Sequence, residues 1–168
     1  GMGGFFMHAR DGLETEYMGP EWLECVRETV RVAKEEGMRA WMYDEDRWPS
    51  GGAGGLVPAR GGDAVRAKAL ALDPVPAGGE YQPDPSVLAV FRVALENEAL
   101  TRVERLDAAQ AAVAADGEQL LVFRRVVSGP NEWFNDDAPA DNLNPEAVRT
   151  FIETTYEVYK REIGTEFG

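Results

Sequence analysis

One cysteine and one histidine in 168 residues remove several chemistries at once. Cys25 has no partner for an intrachain disulfide, and a thiolate metal cluster cannot form. Its place inside an apolar helical pattern predicts a buried structural thiol rather than a nucleophile. His8 alone can neither complete a Ser-His-Asp triad of the ordinary kind nor anchor a multi-histidine zinc site. Basic residues are scarce too: seventeen Lys and Arg stand against thirty Asp and Glu, a formal net charge of −13. Such a surface repels phosphate backbones and anionic lipid, which argues against nucleic acid and membrane as partners and favours a neutral or cationic ligand. No apolar run approaches the ~20 residues needed to cross a bilayer. The start lacks a basic segment followed by an apolar one, so no signal peptide is expected, and the compartment is the cytoplasm or is left open by the sequence. Gly1 before Met2 reads as the scar of a cleaved purification tag.

Apolar side chains are not scarce. At 44% hydrophobic and 10% aromatic, the chain can build a core and does not read as disordered. Gly3 to Met7 is a short apolar run that predicts a buried strand. Pro20 opens a helix at its first position, with Glu21 and Glu24 near the positive end of the dipole. Leu23, Val26, Val30 and Ala33 recur at helical spacing, and Gly37 is placed to cap the end. Met38 to Tyr43 then reads as a second strand. Strand, helix, strand is a βαβ unit and implies parallel strands.

From about Asp63 to Ser128 the pattern changes. Ala67–Leu72, Val87–Leu95, Leu100–Leu106 and Gln119–Val127 alternate or are β-branched. Turn signals at Asp73-Pro74, Ala77-Gly78-Gly79, Asp84-Pro85 and Asp116-Gly117 separate them. A small antiparallel β subdomain is expected there, with Ala108 to Ala115 left as a helical turn or a loop. Asn144, Pro145 and Glu146 start a final helix, whose inner face runs through Val148, Phe151, Ile152, Thr155, Tyr159 and Ile163 to a close at Gly164. Residues 2–62 are thus a first βαβ part, 63–128 an insertion, and 129–168 a loop and helix.

The densest chemistry lies just after the second strand. Tyr43-Asp44-Glu45-Asp46-Arg47-Trp48-Pro49-Ser50-Gly51 packs three carboxylates, a guanidinium and an indole together. Ligand sites in parallel α/β folds gather at the carboxyl ends of strands, and His8 to Arg10 occupies the other such end. Glycoside hydrolysis needs one carboxylic acid for the leaving oxygen and a carboxylate as base or nucleophile. If strand geometry persists, Asp44 and Asp46 point one way and Glu45 the other. Trp48 offers a flat face to a pyranose, and His8, Arg10 and Arg47 can donate to hydroxyls. The plain alternative is a solvated acidic turn with Trp48 in the core, and His8 bonded to backbone.

A second cluster, Asn131 to Asp137 with Trp133, together with Asp141, could add to a sugar cleft or supply oxygens to calcium. Its spacing does not match an EF-hand loop. A surface loop with two buried aromatics is the plain reading. Gly51 to Gly55 lacks the Lys-Ser/Thr ending of a phosphate loop and reads as a flexible turn. No metal and no cofactor is expected.

With Gly4-Phe5-Phe6-Met7-His8-Ala9-Arg10, the Tyr43 to Gly51 stretch and Leu143-Asn144-Pro145-Glu146-Ala147-Val148, the chain resembles the large bacterial glycoside hydrolases related to α-L-rhamnosidases. The resemblance implies a partial (β/α) TIM-type barrel with the small antiparallel β subdomain inserted. It also implies hydrolysis of an O-glycosidic bond, with a deoxyhexoside such as rhamnose as substrate. Asp44, Glu45 and Asp46 would supply catalytic carboxylates. Arg47 and Trp48 would line the sugar pocket with them, with His8 and Arg10 beside it; Tyr43 and Trp133 are further candidate sugar contacts on the residues alone. Proteins of this kind continue into a strand with an Asp-Glu-Pro motif, which this chain does not reach before Gly168. The expectation is therefore a fragment of the catalytic domain. The competing expectations are a non-catalytic carbohydrate-binding or interaction module and a truncated, inactive product. Exposed sheet edges would then favour a homo-oligomer.

Overall fold

The structure is a computed structural model that describes residues 1–166. The last two residues of the 129–168 segment lie outside the described residues. The chain divides into two compact units: Lys68–Val127, and the segments on either side of it.

In the first unit, β1 (Gly4–Met7) and β2 (Arg39–Met42) pair in parallel, with Phe5 opposite Ala40 and Phe6 opposite Trp41. The 16-residue helix α1 (Pro20–Glu35) joins them, with Pro20 in its first turn and Leu23, Val26 and Ala33 buried. Gly37 adopts φ +66°, the left-handed conformation that ends helices at little steric cost. Cys25, expected inside, is exposed. It lies two residues beyond Leu23, a turn of roughly 200° at 3.6 residues per turn, and so falls on the wet face. The helix α2 (Leu56–Gly61) follows the acidic loop.

The expected single final helix is two. Asn144 caps α3 (Pro145–Thr154) by accepting from the Glu146 N–H at 3.0 Å. The chain then breaks at Thr155, whose hydroxyl donates to the Phe151 carbonyl at 2.8 Å, before α4 (Tyr156–Ile163). Leu23, Val26, Tyr159 and Ile163 form one core cluster; Ala9, Tyr17, Ala53, Val57, Val65, Ala147 and Phe151 form another.

The second unit is built on an antiparallel sheet of β3 (Lys68–Val75), β5 (Val87–Glu96), β6 (Ala99–Leu106) and β8 (Glu118–Val127), in spatial order β3-β8-β5-β6. Two short strands, β4 (Glu80–Tyr81) and β7 (Ala112–Val113), pair with each other. Tyr81 and Ala114 pack with Val90, Leu120 and Val122 as this unit's core.

The expectation of a partial (β/α) barrel is overturned. The β1–β2 pair is the one parallel pairing among the described residues, and every other strand pairing is antiparallel. A βαβ crossover satisfies its strands locally; a barrel needs further parallel strands in the same sheet, and none joins this one. The chain is a small mixed α/β structure. No helix of the described residues is long and apolar enough to cross a membrane.

Leu120 has no solvent exposure at the centre of the β8 core. Leu120→Ala is expected to cost roughly 2–5 kcal/mol in urea unfolding, because the void cannot close between paired strands. A loss under about 1 kcal/mol would show that this side chain is not packed as described.

Candidate functional site

The parallel pairing ends where the Tyr43 N–H donates to the Met7 carbonyl at 2.8 Å. Beyond it the chain turns on its own polar groups, so the strand alternation expected for Asp44, Glu45 and Asp46 does not persist. Glu45 and Asp46 are both buried, at 1% and 5% exposure. Glu45 Oε2 accepts the Ala53 N–H at 2.5 Å, closing the loop across eight residues. Ser50 donates its hydroxyl to Asp44, and the Gly54 N–H donates to the Asp46 carbonyl at 3.1 Å. Two outside groups hold the loop: the Tyr17 hydroxyl donates to the Asp44 carbonyl at 3.1 Å, and Asn142 Nδ2 to the Ser50 carbonyl at 2.6 Å. Gly51 has φ +120°, and a Cβ there would come within 2.0 Å of Asn142 Oδ1, so this position accepts only glycine.

Burial pushes the Glu45 carboxyl up to about 7, and the neighbouring Asp44 charge adds to it. The Ala53 N–H, Ser50 and the Gly51 N–H act in the opposite direction and are outweighed. Glu45 Oε1 is buried without a hydrogen-bond partner. Glu45 therefore serves as a strut of the loop.

Asp46 faces a cleft of about 270 Å³, which Arg10, Thr15, Tyr17, Arg47 and Asn135 also line. Asn135 is the hub. Its Nδ2 donates to Asp46 Oδ2 at 3.0 Å and to the Gly54 carbonyl at 2.9 Å, while its Oδ1 accepts from Arg47 Nη2 at 2.6 Å. Asn135 has φ +55°, a left-handed conformation that asparagine tolerates better than most residues. Arg47 Nη1 lies 3.2 Å from Asp11 and 3.7 Å from Asp46 Oδ1. Three buried polar atoms of cleft-lining residues have no hydrogen-bond partner: Thr15 Oγ1, Asp46 Oδ1 and Arg47 Nε.

Of the expected site residues, Arg10, Asp46 and Arg47 therefore come together; Asp44, Glu45, His8, Tyr43, Trp48 and Trp133 do not line this cleft. The His8 ring lies against Tyr43 with centroids 3.8 Å apart. Partial burial, then Arg10, lowers its pKa, and Asp44 and Asp46 pull it the other way. Trp48 and Trp133, each placed inside by its plain reading, are both exposed, Trp48 at 65%, and the Trp133 indole donates to the Trp48 carbonyl. The two tryptophans thus meet at the surface through a backbone oxygen. No group of three or more His, Cys, Asp and Glu among the described residues converges to hold a metal. No local signal marks Thr15, Tyr17 or the hub role of Asn135, which is one polar residue among several in its segment.

Comparison with protein-family models, curated proteins and solved structures finds no match. The resemblance to α-L-rhamnosidase-related enzymes accordingly rests on the residues that carry it.

The Glu45 carboxyl also predicts a pH dependence. Below about pH 4.5, folded and unfolded chains both hold its proton and it costs nothing. Between there and about 7 the unfolded chain ionises while the folded one does not, so stability falls as pH rises. Above that range the full cost is present, on the order of 3 kcal/mol. Glu45→Gln removes this contribution. In chemical unfolding, the stability of wild type relative to the variant is expected to increase as pH falls from 7.5 to 4.5. A constant difference would contradict the buried, proton-binding carboxyl.

Proposed function

We propose that this chain is a carbohydrate-binding part of a glycoside hydrolase, holding a sugar such as a deoxyhexoside in the Asp46–Arg47–Asn135 cleft. The observation that carries the reading is the set of three buried polar atoms without a hydrogen bond on residues lining one cleft: a hydroxyl on Thr15, a carboxylate oxygen on Asp46 and a guanidinium N–H on Arg47. Buried polar groups without partners are costly in a folded protein and rare. A polyhydroxylated ligand, which donates and accepts from every hydroxyl, fits this mixture of donors and acceptors. Tyr17 and Leu13, which line the cleft, give it apolar surface beside these polar groups.

Binding is favoured over hydrolysis by the three acids of the loop. Paired-carboxylate catalysis needs two carboxyls flanking the bond. Asp44 is held by Ser50, Glu45 by the Ala53 amide, and Asp46 alone of the three lines the cleft. Hydrolysis has one observation in its favour, that Glu16 also lines the cleft. Its carboxylate is turned toward Gly19 at the start of α1, with Oε2 3.3 Å from where a Cβ would stand.

Calorimetric titration with a monosaccharide panel that includes rhamnose tests the reading, with nitrophenyl rhamnoside hydrolysis followed alongside. Thr15→Val removes an unpartnered hydroxyl while keeping shape. It is expected to leave the unliganded fold as stable or more stable, and to weaken sugar binding about tenfold. A panel in which no sugar binds, or a Thr15→Val variant with unchanged affinity, would defeat the proposal.

A further inference from the structure

The two faces of the four-stranded sheet treat arginine differently. The register places Val90, Arg92, Glu104, Glu118, Leu120, Val122 and Arg124 on one face. Every arginine of that face is paired. Arg92 and Arg102 each reach Glu104 and Glu118 at 3.2–3.3 Å, and Arg124 reaches Asp73 at 2.5 Å.

The opposite face carries Leu70, Leu72, Phe91, Val103, Leu121 and Phe123, with Arg105 and Arg125 among them and no carboxylate at those register positions. Phe91 and Phe123 meet edge-on at 5.7 Å. Leu70 is 64% exposed, and Leu72 and Val103 are exposed as well. Neither Arg105 nor Arg125 meets a carboxylate among the described residues, in a chain with thirty acidic side chains. An apolar patch with unpaired cations calls for a partner that is apolar and anionic. A copy of the same face has no carboxylate at these register positions to meet the two arginines.

The chain itself carries a surface of the complementary kind. Leu143, Val148 and Ile152 form an apolar groove along α3, bordered by Glu153 and Glu157 and by one cation, Arg149. Leu143 is 95% exposed. Glu153 meets no cation among the described residues, and Glu157 is only loosely paired, 3.8 Å from Lys160.

We propose that the α3 groove of one copy docks on the arginine-bearing sheet face of a second copy, with apolar side chains meeting at the centre and Glu153 and Glu157 meeting Arg105 and Arg125 at the margin. The contact is heterologous, so each copy offers both surfaces and association can continue past the pair or close into a ring.

Sedimentation equilibrium of the full chain over about 10–500 µM at 150 mM salt provides the test, the range where modest interfaces of this kind show themselves. The weight-average mass is expected to rise above that of the monomer. Arg125→Glu and Glu153→Arg, both exposed positions, are each expected to weaken association about tenfold, and their combination to restore it. Circular dichroism of each variant confirms folding. Leu70→Lys, at an exposed position, supplies a second disruption should either swap fail to fold. A chain that stays monomeric throughout overturns the proposal, as does association that neither swap alters or a double swap that fails to restore it.

Discussion

A carboxylate buried inside its own loop governs the site. Glu45 leaves water to accept the Ala53 amide, and that bond folds residues 45–53 back on themselves. The cost is visible in the raised proton affinity of the acid, and the return is geometric. With the loop closed, the Gly54 N–H reaches the Asp46 carbonyl and the Gly54 carbonyl reaches Asn135. Asp46 and Arg47 are then presented together to a side chain 88 and 89 residues away in sequence. Positive φ at Arg47, Gly51, Ala53, Gly54 and Gly55 is the backbone consequence of such a tight fold. The burial of Gly51 against Asn142 leaves no room for slack.

That closure explains why three neighbouring acids do three different things. Asp44 lies where Ser50 can donate to it, Glu45 is used up as a strut, and Asp46 keeps one oxygen for Asn135 and the other, without a hydrogen bond, near Arg47. Residue type alone would assign them one role. Their distinct partners arise because the chain leaves strand geometry at Met42, so side-chain direction is set by the loop's hydrogen bonds and no longer by a period of two.

What the sequence revealed divides along the range of the interactions. The β1–α1–β2 unit could be read from Pro20, the Leu23–Val26–Val30–Ala33 spacing and Gly37, all local signals. So could the four long strands from Lys68 to Val127 and the Asn144 cap of α3, although Asp73-Pro74, expected as a turn, lies within β3, and β7 falls where a helical turn or a loop was expected. The barrel could not be judged from such signals, since one crossover is the same whether or not more parallel strands follow. The break at Thr155 is not legible because the apolar spacing runs through it, while a side-chain bond back to Phe151 disturbs the backbone. For the site, the polar loop was legible as a concentration of chemistry. The pairing of Asp46 with Asn135, and of Tyr17 with Asp44, was not, because nothing in either local segment encodes the other. Cys25 is a different case, since its helical position already placed it on the wet face.

The net charge of −13 is a statement about distance, and the cleft operates at shorter range. At physiological salt, exposed charges more than about 8 Å apart are largely screened from one another. Within the cleft the balance is even: Arg10 and Arg47 against Asp46 and Glu16. An uncharged, hydroxyl-bearing ligand suits that balance, since it can engage both signs without leaving a charge buried and unpaired. The same reasoning separates the two faces of the sheet. Global acidity would let any arginine find a carboxylate, yet on one face each does and on the other neither does. In both places the placement of a few side chains, rather than their total, determines what the surface can accept.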